Sequence, residues 1–427
     1  MAEALALRTQ FQDPDAVQTL RTGAPAVGKL AVTGRGVPIE VEEPESISEL
    51  WHSARRRNTA LLGKLHNDPH AEKLLDAAKA DASLGRMTEP RRLARRDLEK
   101  HLLCRRFSRV QGVKTDGSIK VRAVDDLTAS GANPCCAPGE RLSNDKLDLL
   151  VTLILQFMSC VGVPPALWKA DIDAAYRRIP ILPEHRWLLW VAILFTGQVY
   201  VAGHNVAPFG SVAAVHAWDR IGALLHHVAV TLLHMPVCRY VDDLFAPDRA
   251  ECVDHGMACF ARITRCLLGF TSVAQEKLQH GSTLVVLGVA VSIDVNGITL
   301  WPDETKRAKW GQQLVSALHE NRLSQGDASK LAGRLSFAAQ NIFRRLGRAM
   351  IRPIYRQQYR PLREGRLSQD LTLALQWWKT VLENRITETI AWNHKPRRVV
   401  DLFCDARGWP PSVAAVTVEK GHLQYTA

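Results

Sequence analysis

Pro236-Val237-Cys238-Arg239-Tyr240-Val241-Asp242-Asp243-Leu244-Phe245-Ala246 is the stretch whose reading decides the fold. Two adjacent carboxylates stand between two apolar, strand-like runs, and the simplest geometry for that pattern is a hairpin with Asp242 and Asp243 at its tip. Neighbouring acidic side chains repel one another, and each loses hydration in a cleft, so the arrangement is costly without a compensating cation. Magnesium suits such a place, because it prefers oxygen ligands and is usually held by one or two carboxylates together with substrate phosphates. An isolated Asp-Asp pair is more often a turn or a helix cap, so the reading rests on what surrounds it.

Upstream, Leu167-Trp168-Lys169-Ala170-Asp171-Ile172-Asp173-Ala174-Ala175-Tyr176 runs as a strand that ends on acidic residues, with Asp171 at its exit, and Arg177-Arg178-Ile179-Pro180 follows. Placed beside the hairpin at the usual interstrand spacing of about 4.8 Å, Asp171 would bring a third carboxylate. Three such groups suit two ions roughly 4 Å apart, an arrangement that serves phosphoryl transfer. Between the acidic stretches, Ala207-Pro208-Phe209-Gly210-Ser211 opens a helical run through Val215, Trp218, Ile221 and Leu225. A glycine turn before a helix lets backbone approach a nucleotide closely.

These landmarks, in this order, resemble the reverse transcriptases of retroelements, most closely those of DIRS-like and gypsy-like retrotransposons. The resemblance covers roughly residues 84–427, reaching upstream to Arg122 and Asp125 and downstream through Lys277, Leu287-Gly288 and the segment from Trp301-Pro302 to Lys306. It implies an α+β right-hand polymerase with fingers, a palm built on an antiparallel sheet, and a helical thumb and connection. Asp171, Asp242 and Asp243 would be the catalytic metal ligands, joined by the Ile172 carbonyl, for two Mg2+ ions or for Mn2+. Lys114 or Lys120, with Arg122, matches the finger residues that hold the incoming triphosphate. Tyr176 matches the residue beneath the sugar, where a ring collides with a ribose 2′-hydroxyl and favours dNTPs; its bland alternative is a packed core tyrosine. Phe209 and Gly210 fall in the nucleotide-binding turn, and Phe209 replaces the glutamine of retroviral relatives. Lys277 matches a palm lysine that gives a proton to pyrophosphate, with a plain surface lysine as the alternative.

The implied function is synthesis of DNA on an RNA or DNA template-primer within a retroelement. A catalytically inactive, retroelement-derived nucleic-acid-binding protein is the alternative. An RNA-dependent RNA polymerase is a third reading, which a small or hydrogen-bonding residue at position 176 would have favoured.

Composition agrees with a nucleic-acid partner. The 427 residues carry 55 Lys plus Arg against 43 Asp plus Glu, a net charge of +12, which favours polyanions. The nine cysteines lack zinc-ribbon or disulfide-framework spacing, so the chain reads as reduced and intracellular, nuclear or cytoplasmic. Cys252, His255, Cys259 and Cys266 recur at helical intervals, as small core-facing residues or, less often, a metal site. No stretch is a membrane span: Leu147 to Met158 is much shorter than the roughly 20 residues required and reads as a buried helix.

Residues 1–45 read as a poorly ordered leader, 46–100 as a basic helical extension, 101–300 as fingers and palm, 301–396 as thumb and connection, and 397–427 as a partial RNase H-like segment. Val110 to Val113 and Ile119 to Val124 read as a hairpin. Arg344, Arg348 and Arg352 recur every four residues, a stripe that either follows a duplex backbone or forms a solvated face, until Pro353 breaks the helix. Asp405 falls where the first RNase H carboxylate stands, and no RNase H activity is expected from a segment this short.

Overall fold

In the computed structural model of this protein every residue is described except 42, 114–116, 342–346, 363–364, 385–386, 393–400, 408–411, 420–421 and 427, and the side chains of 113, 340, 341, 388 and 401–427 are also left aside. The chain divides into two compact units, Met1–Ala290 and Val291–Ala427.

The first unit begins with α1 (Ala2–Thr9) and α2 (Pro14–Thr22), which pack against the later helix over 212–231. This corrects the expectation of a poorly ordered leader over 1–45. Helices of 8 and 9 residues show little periodicity, and what orders them is tertiary. Ala16, Ala24, Ala26 and Val27 are buried, and buried Asp13 pairs with Arg220. α3 (Ile47–Lys64) and α4 (Ala71–Ser83) occupy the basic helical region, and Ser46 caps α3 by accepting the Glu49 N–H at 3.3 Å. Arg91 is committed within the fold, donating to both Asp97 carboxylate oxygens at 2.6 and 2.7 Å.

β1 (Leu103–Val113) and β2 (Ile119–Asp125) form the expected hairpin, with a bulge between Val110 and Gly112. α5 (Leu147–Val161) is the apolar helix, but it buries one side only: Leu147, Leu150 and Ile154 are buried whereas Leu149 is 40% exposed. β3 (Ala166–Asp171), β4 (Trp190–Phe195) and β5 (Gln198–Gly203) follow. One sheet runs Arg91–Arg92, β5, β4, β1, β2, with β1 parallel to β4.

α6 (Val212–Thr231), β6 (Cys238–Tyr240), β7 (Asp243–Asp248), α7 (Val253–Leu268) and β8 (Gln279–Gly281) complete the site-bearing layer. A second, antiparallel sheet runs β6, β7, β3, β8. Trp168 of β3 packs at 5.4 Å against the tilted ring of Phe260 of α7, so α7 seals one face of that sheet. The apolar face of α7 is formed by Val253, Met257, Phe260, Ala261 and Leu268. Cys252 and Cys266 are therefore exposed and Cys259 half-buried, a correction to the core-facing expectation.

The second unit holds β9 (Gly297–Pro302), α8 (Glu304–His319), α9 (Gln325–Asn341), α10 (Arg348–Tyr359), α11 (Gln369–Glu383) and β10 (Glu388–Ala391), with β9 and β10 antiparallel. Leu331, Leu335, Ile354, Leu375 and Trp378 are buried in its core. α10 continues through Pro353 instead of breaking there. Pro353 is the sixth residue of that helix, and its missing N–H costs the ladder one bond. β11 (Asp401–Arg407), β12 (Ser412–Glu419) and β13 (His422–Thr426) form an antiparallel sheet, and the Asp405 side chain lies outside the described residues. Among the described residues no helix is long and apolar enough to cross a membrane.

A buried polar chain ties the β1–β2 hairpin to the turn after β3. Arg106 donates to both Asp125 oxygens at 2.7 and 2.9 Å, His204 Nε2 lies 2.9 Å from Asp125, and Arg177 lies 2.7 Å from His204 Nδ1 and 2.9 Å from Asp81. A guanidinium can only donate, so Nδ1 must accept and His204 is the neutral Nε2–H tautomer. Burial, working against the pull of Asp125, takes its pKa down to about 4. The unfolded chain binds that proton below about 6.5, so stability contributed by neutral His204 is complete above that pH and drains away toward pH 4. Burial also lowers His101, His185, His216 and His226, which act in the same sense. The melting temperature should fall between pH 6.5 and 4, and His204→Gln should flatten part of that fall; an unchanged slope would refute the assignment.

Candidate active site

β3 and β7 run antiparallel in a register that sets Asp171 opposite Asp243. Directly opposed residues have Cα atoms about 4.5–5.5 Å apart, and their side chains leave the same face of the sheet. Tyr240 pairs with Asp243, so Val241 and Asp242 form the two-residue turn, and the Asp242 carbonyl accepts the Ile172 N–H at 3.1 Å. The three aspartates thus meet at one end of the sheet.

Their ionisation records the crowding. Burial first, then the charges of Asp242 and Asp171, raise the Asp243 carboxyl to about 6. Asp242 also rises, through burial and, against its own backbone N–H, the charge of Asp171. Lys277 Nζ donates to Asp171 Oδ2. Burial opposes charge on Lys277, but this hydrogen bond and the nearby aspartates hold its ammonium above the usual value.

Among the described residues no three His, Cys, Asp or Glu side chains converge into a ready-made metal cage, these aspartates included. The donor set still fits magnesium, which needs few protein ligands. It is all oxygen and half-buried, and two of its carboxyls are driven up in pKa by burial and by the neighbouring aspartates.

An aromatic and basic cluster adjoins Asp242. Tyr176, on the 3₁₀ turn Ala175–Arg178, meets Phe209 edge-on at 5.2 Å, and the Arg122 guanidinium lies 4.6 Å from the Phe209 ring centre. Burial, then the charge of Asp242, raises the Tyr176 hydroxyl. Gly210 has φ +92°, and a Cβ there would stand 3.1 Å from the Asp125 carbonyl oxygen, so the turn requires glycine. Asn133 secures it, donating to the Gly210 carbonyl at 2.9 Å and accepting the Val212 N–H at 3.1 Å.

Lys120 is exposed on β2 opposite Gly112. Arg348 and Arg352 are exposed on α10 in the second unit. Lys114 and Arg344 lie outside the described residues. Three residues that support the trio escaped the sequence reading in that role: Asn144, Trp218 and Arg239. Arg239 carried a usable signal, since a charged residue inside an apolar strand run implies a buried partner, here Asp219.

No protein-family model matches the chain, and no curated protein matches it by sequence. Among solved structures it is similar to the foamy viral protease-reverse transcriptase dRH in complex with double-stranded DNA, with a TM-score of 0.54 at 12% identity. That match covers 94% of this chain and 61% of the other. It is also similar to the foamy viral protease-reverse transcriptase in complex with RNA/DNA hybrid, with a TM-score of 0.53 at 12% identity over 91% of this chain and 54% of that one. The chain therefore spans between about half and three fifths of the length of those chains. It has a reverse transcriptase-like α+β fold.

The raised carboxyl of Asp243 has a consequence for stability. The unfolded side chain ionises near pH 3.9, whereas the folded one resists ionisation until about 6. The folded state is thus penalised above pH 6 and not below 3.9. In metal-free buffer Asp243→Asn should raise the melting temperature at pH 7.5, by about 2–4 °C for each kcal/mol relieved, with no gain at pH 4. A lower melting temperature at pH 7.5 would contradict the crowded-carboxylate account.

Proposed function

We propose that the chain is an RNA-directed DNA polymerase of a retroelement, adding dNTPs to a primer 3′-hydroxyl on an RNA or DNA template. The observation that carries this reading is the register that sets Asp171 against Asp243 with Asp242 in the adjoining turn. Those three carboxylates, with the Ile172 carbonyl, would hold two Mg2+ ions, or Mn2+. The ions would supply a lowered hydroxyl pKa at the primer end and charge neutralisation on the phosphates.

The chain's own residues do the rest. Arg122, with Lys120 or Lys114, neutralises the triphosphate, and the Phe209 ring holds the Arg122 guanidinium in place. Tyr176 lies under the sugar, and its ring leaves no room for a 2′-hydroxyl. Gly210 lets the backbone come close to the base pair. Lys277, held charged beside Asp171, passes a proton to the departing pyrophosphate. In the second unit Arg348 and Arg352, with Arg344, follow the duplex backbone. On this reading 101–300 are fingers and palm, 301–396 thumb and connection, and 397–427 an RNase H-like segment.

Primer extension on an RNA template with magnesium and dNTPs should be robust for the natural chain and reduced by roughly 100-fold or more in Asp242→Asn. Template-primer binding without extension by either protein would instead identify a catalytically silent nucleic-acid-binding descendant. Within an active enzyme, Tyr176→Ala should raise ribonucleotide incorporation relative to deoxyribonucleotide; unaltered discrimination would remove the sugar-gate role.

A further inference from the structure

Val241 has φ +56° at the first position of the two-residue turn between β6 and β7. That position in a tight hairpin turn favours glycine, and a β-branched residue there is a genuine outlier. Such a conformation persists only where its surroundings over-determine it.

The surroundings of Val241 do so from two separate elements. Trp218 of α6, 1% exposed, donates its indole Nε1–H to the Val241 carbonyl at 2.8 Å. Arg239 Nη1 reaches the same oxygen at 3.4 Å. On the opposite side the Asn144 Oδ1 accepts the Val241 N–H at 3.1 Å. Asn144 is braced by its neighbour: Asp145 N–H donates to the Arg239 carbonyl at 3.0 Å, and Asp145 Oδ2 accepts the Arg239 N–H at 2.8 Å. β6 is an edge strand, so these two residues satisfy polar groups that its sheet leaves open.

We propose that Trp218 and Asn144 are positioning residues that clamp the strained Val241 peptide and thereby set the direction in which Asp242 and Asp243 project. The Val241 carbonyl and the Asp242 N–H belong to one rigid peptide plane, so a hold on the former orients the latter. An indole offers a single donor, and here it is given wholly to that carbonyl. The clamp's effect on chemistry rests on the polymerase reading; its effect on the turn does not.

The test uses the full chain, with Trp218→Phe, Val241→Gly and the double variant, measured by chemical denaturation and by primer extension. Phenylalanine keeps the ring and removes the donor, while glycine adopts φ +56° without help. Trp218→Phe should lower stability, and its cost should shrink by about half or more in the Val241→Gly background, because a relaxed turn needs no clamp. In extension, Trp218→Phe should lower kcat roughly tenfold with KM for dNTP nearly unchanged, and Val241→Gly should restore part of that loss. Equal stability costs in both backgrounds would show an indole that merely fills the core, and the proposal would fail. If Trp218→Phe does not fold, Asn144→Ala and Asn144→Asp take its place: the aspartate keeps the acceptor and should behave as the parent, and equal behaviour of the two overturns the clamp. Stability coupling in a chain that extends no primer would sink the polymerase reading and leave the clamp standing.

Discussion

Repulsion among three half-buried carboxylates is the constraint around which the first unit is arranged. Burial, and then the charge of the neighbouring aspartates, raises the cost of ionising Asp242 and Asp243. Left to local preference, the hairpin tip would relax and part them. It is held by the antiparallel register with β3, by the Ile172–Asp242 backbone bond and by the bonds that fix Val241 in a left-handed conformation. Lys277, bonded to Asp171, supplies part of the compensating positive charge, and Arg122 at Asp242 and Lys169 at Asp243 supply more.

Two buried ionic networks carry that restraint outward. In one, Arg239 of β6 pairs with Asp219 of α6, which Arg35 reaches at 3.4 Å; Arg35 also lies 3.6 Å from Asp13, the partner of Arg220. The N-terminal residues are thereby built into the support of the acidic hairpin. In the other, Asp81, Arg177, His204, Asp125 and Arg106 join α4, the turn bearing Tyr176, and the base of the hairpin bearing Arg122. Breaking a buried pair by removing one partner leaves an uncompensated charge, which is far more disruptive than losing a surface bridge. Such networks suit a site whose parts come from elements distant in sequence.

The acidic hairpin, the strand ending at Asp171 and the glycine turn before α6 were legible because each rests on a short-range pattern: alternating apolar runs, a paired charge, a residue that tolerates positive φ. Trp218 was legible only as a member of an apolar helical series; nothing in a 3.6-residue period says which atom its indole meets. Asn144 sits in a Ser-Asn-Asp segment that reads as a turn, yet its partner lies 97 residues away. The N-terminal helices misled for the same reason. Their stability comes from Arg220 and the surface of α6, which composition over 1–45 cannot register. For α5 the error ran the other way: Asp148, Thr152, Gln156 and Ser159 recur along one side, so the helix is amphipathic and buries only the opposite side.

A chain of net charge +12 that concentrates three acids at one point works on two length scales. The dispersed arginines and lysines set up a field that draws a polyanion from a distance, screened over about 8 Å at physiological salt. Inside that distance the trio's own charge counts too, and it repels phosphate just as its members repel one another. Lys277, Lys169 and Arg122 oppose that charge, and the carboxyls of Asp242 and Asp243 remain raised against them. On the proposed reading, then, divalent cations have a role before any bond is made. Held by Asp171, Asp242 and Asp243, they would complete the charge compensation over the last few ångströms, so that the attraction felt across the basic surface continues to the primer end.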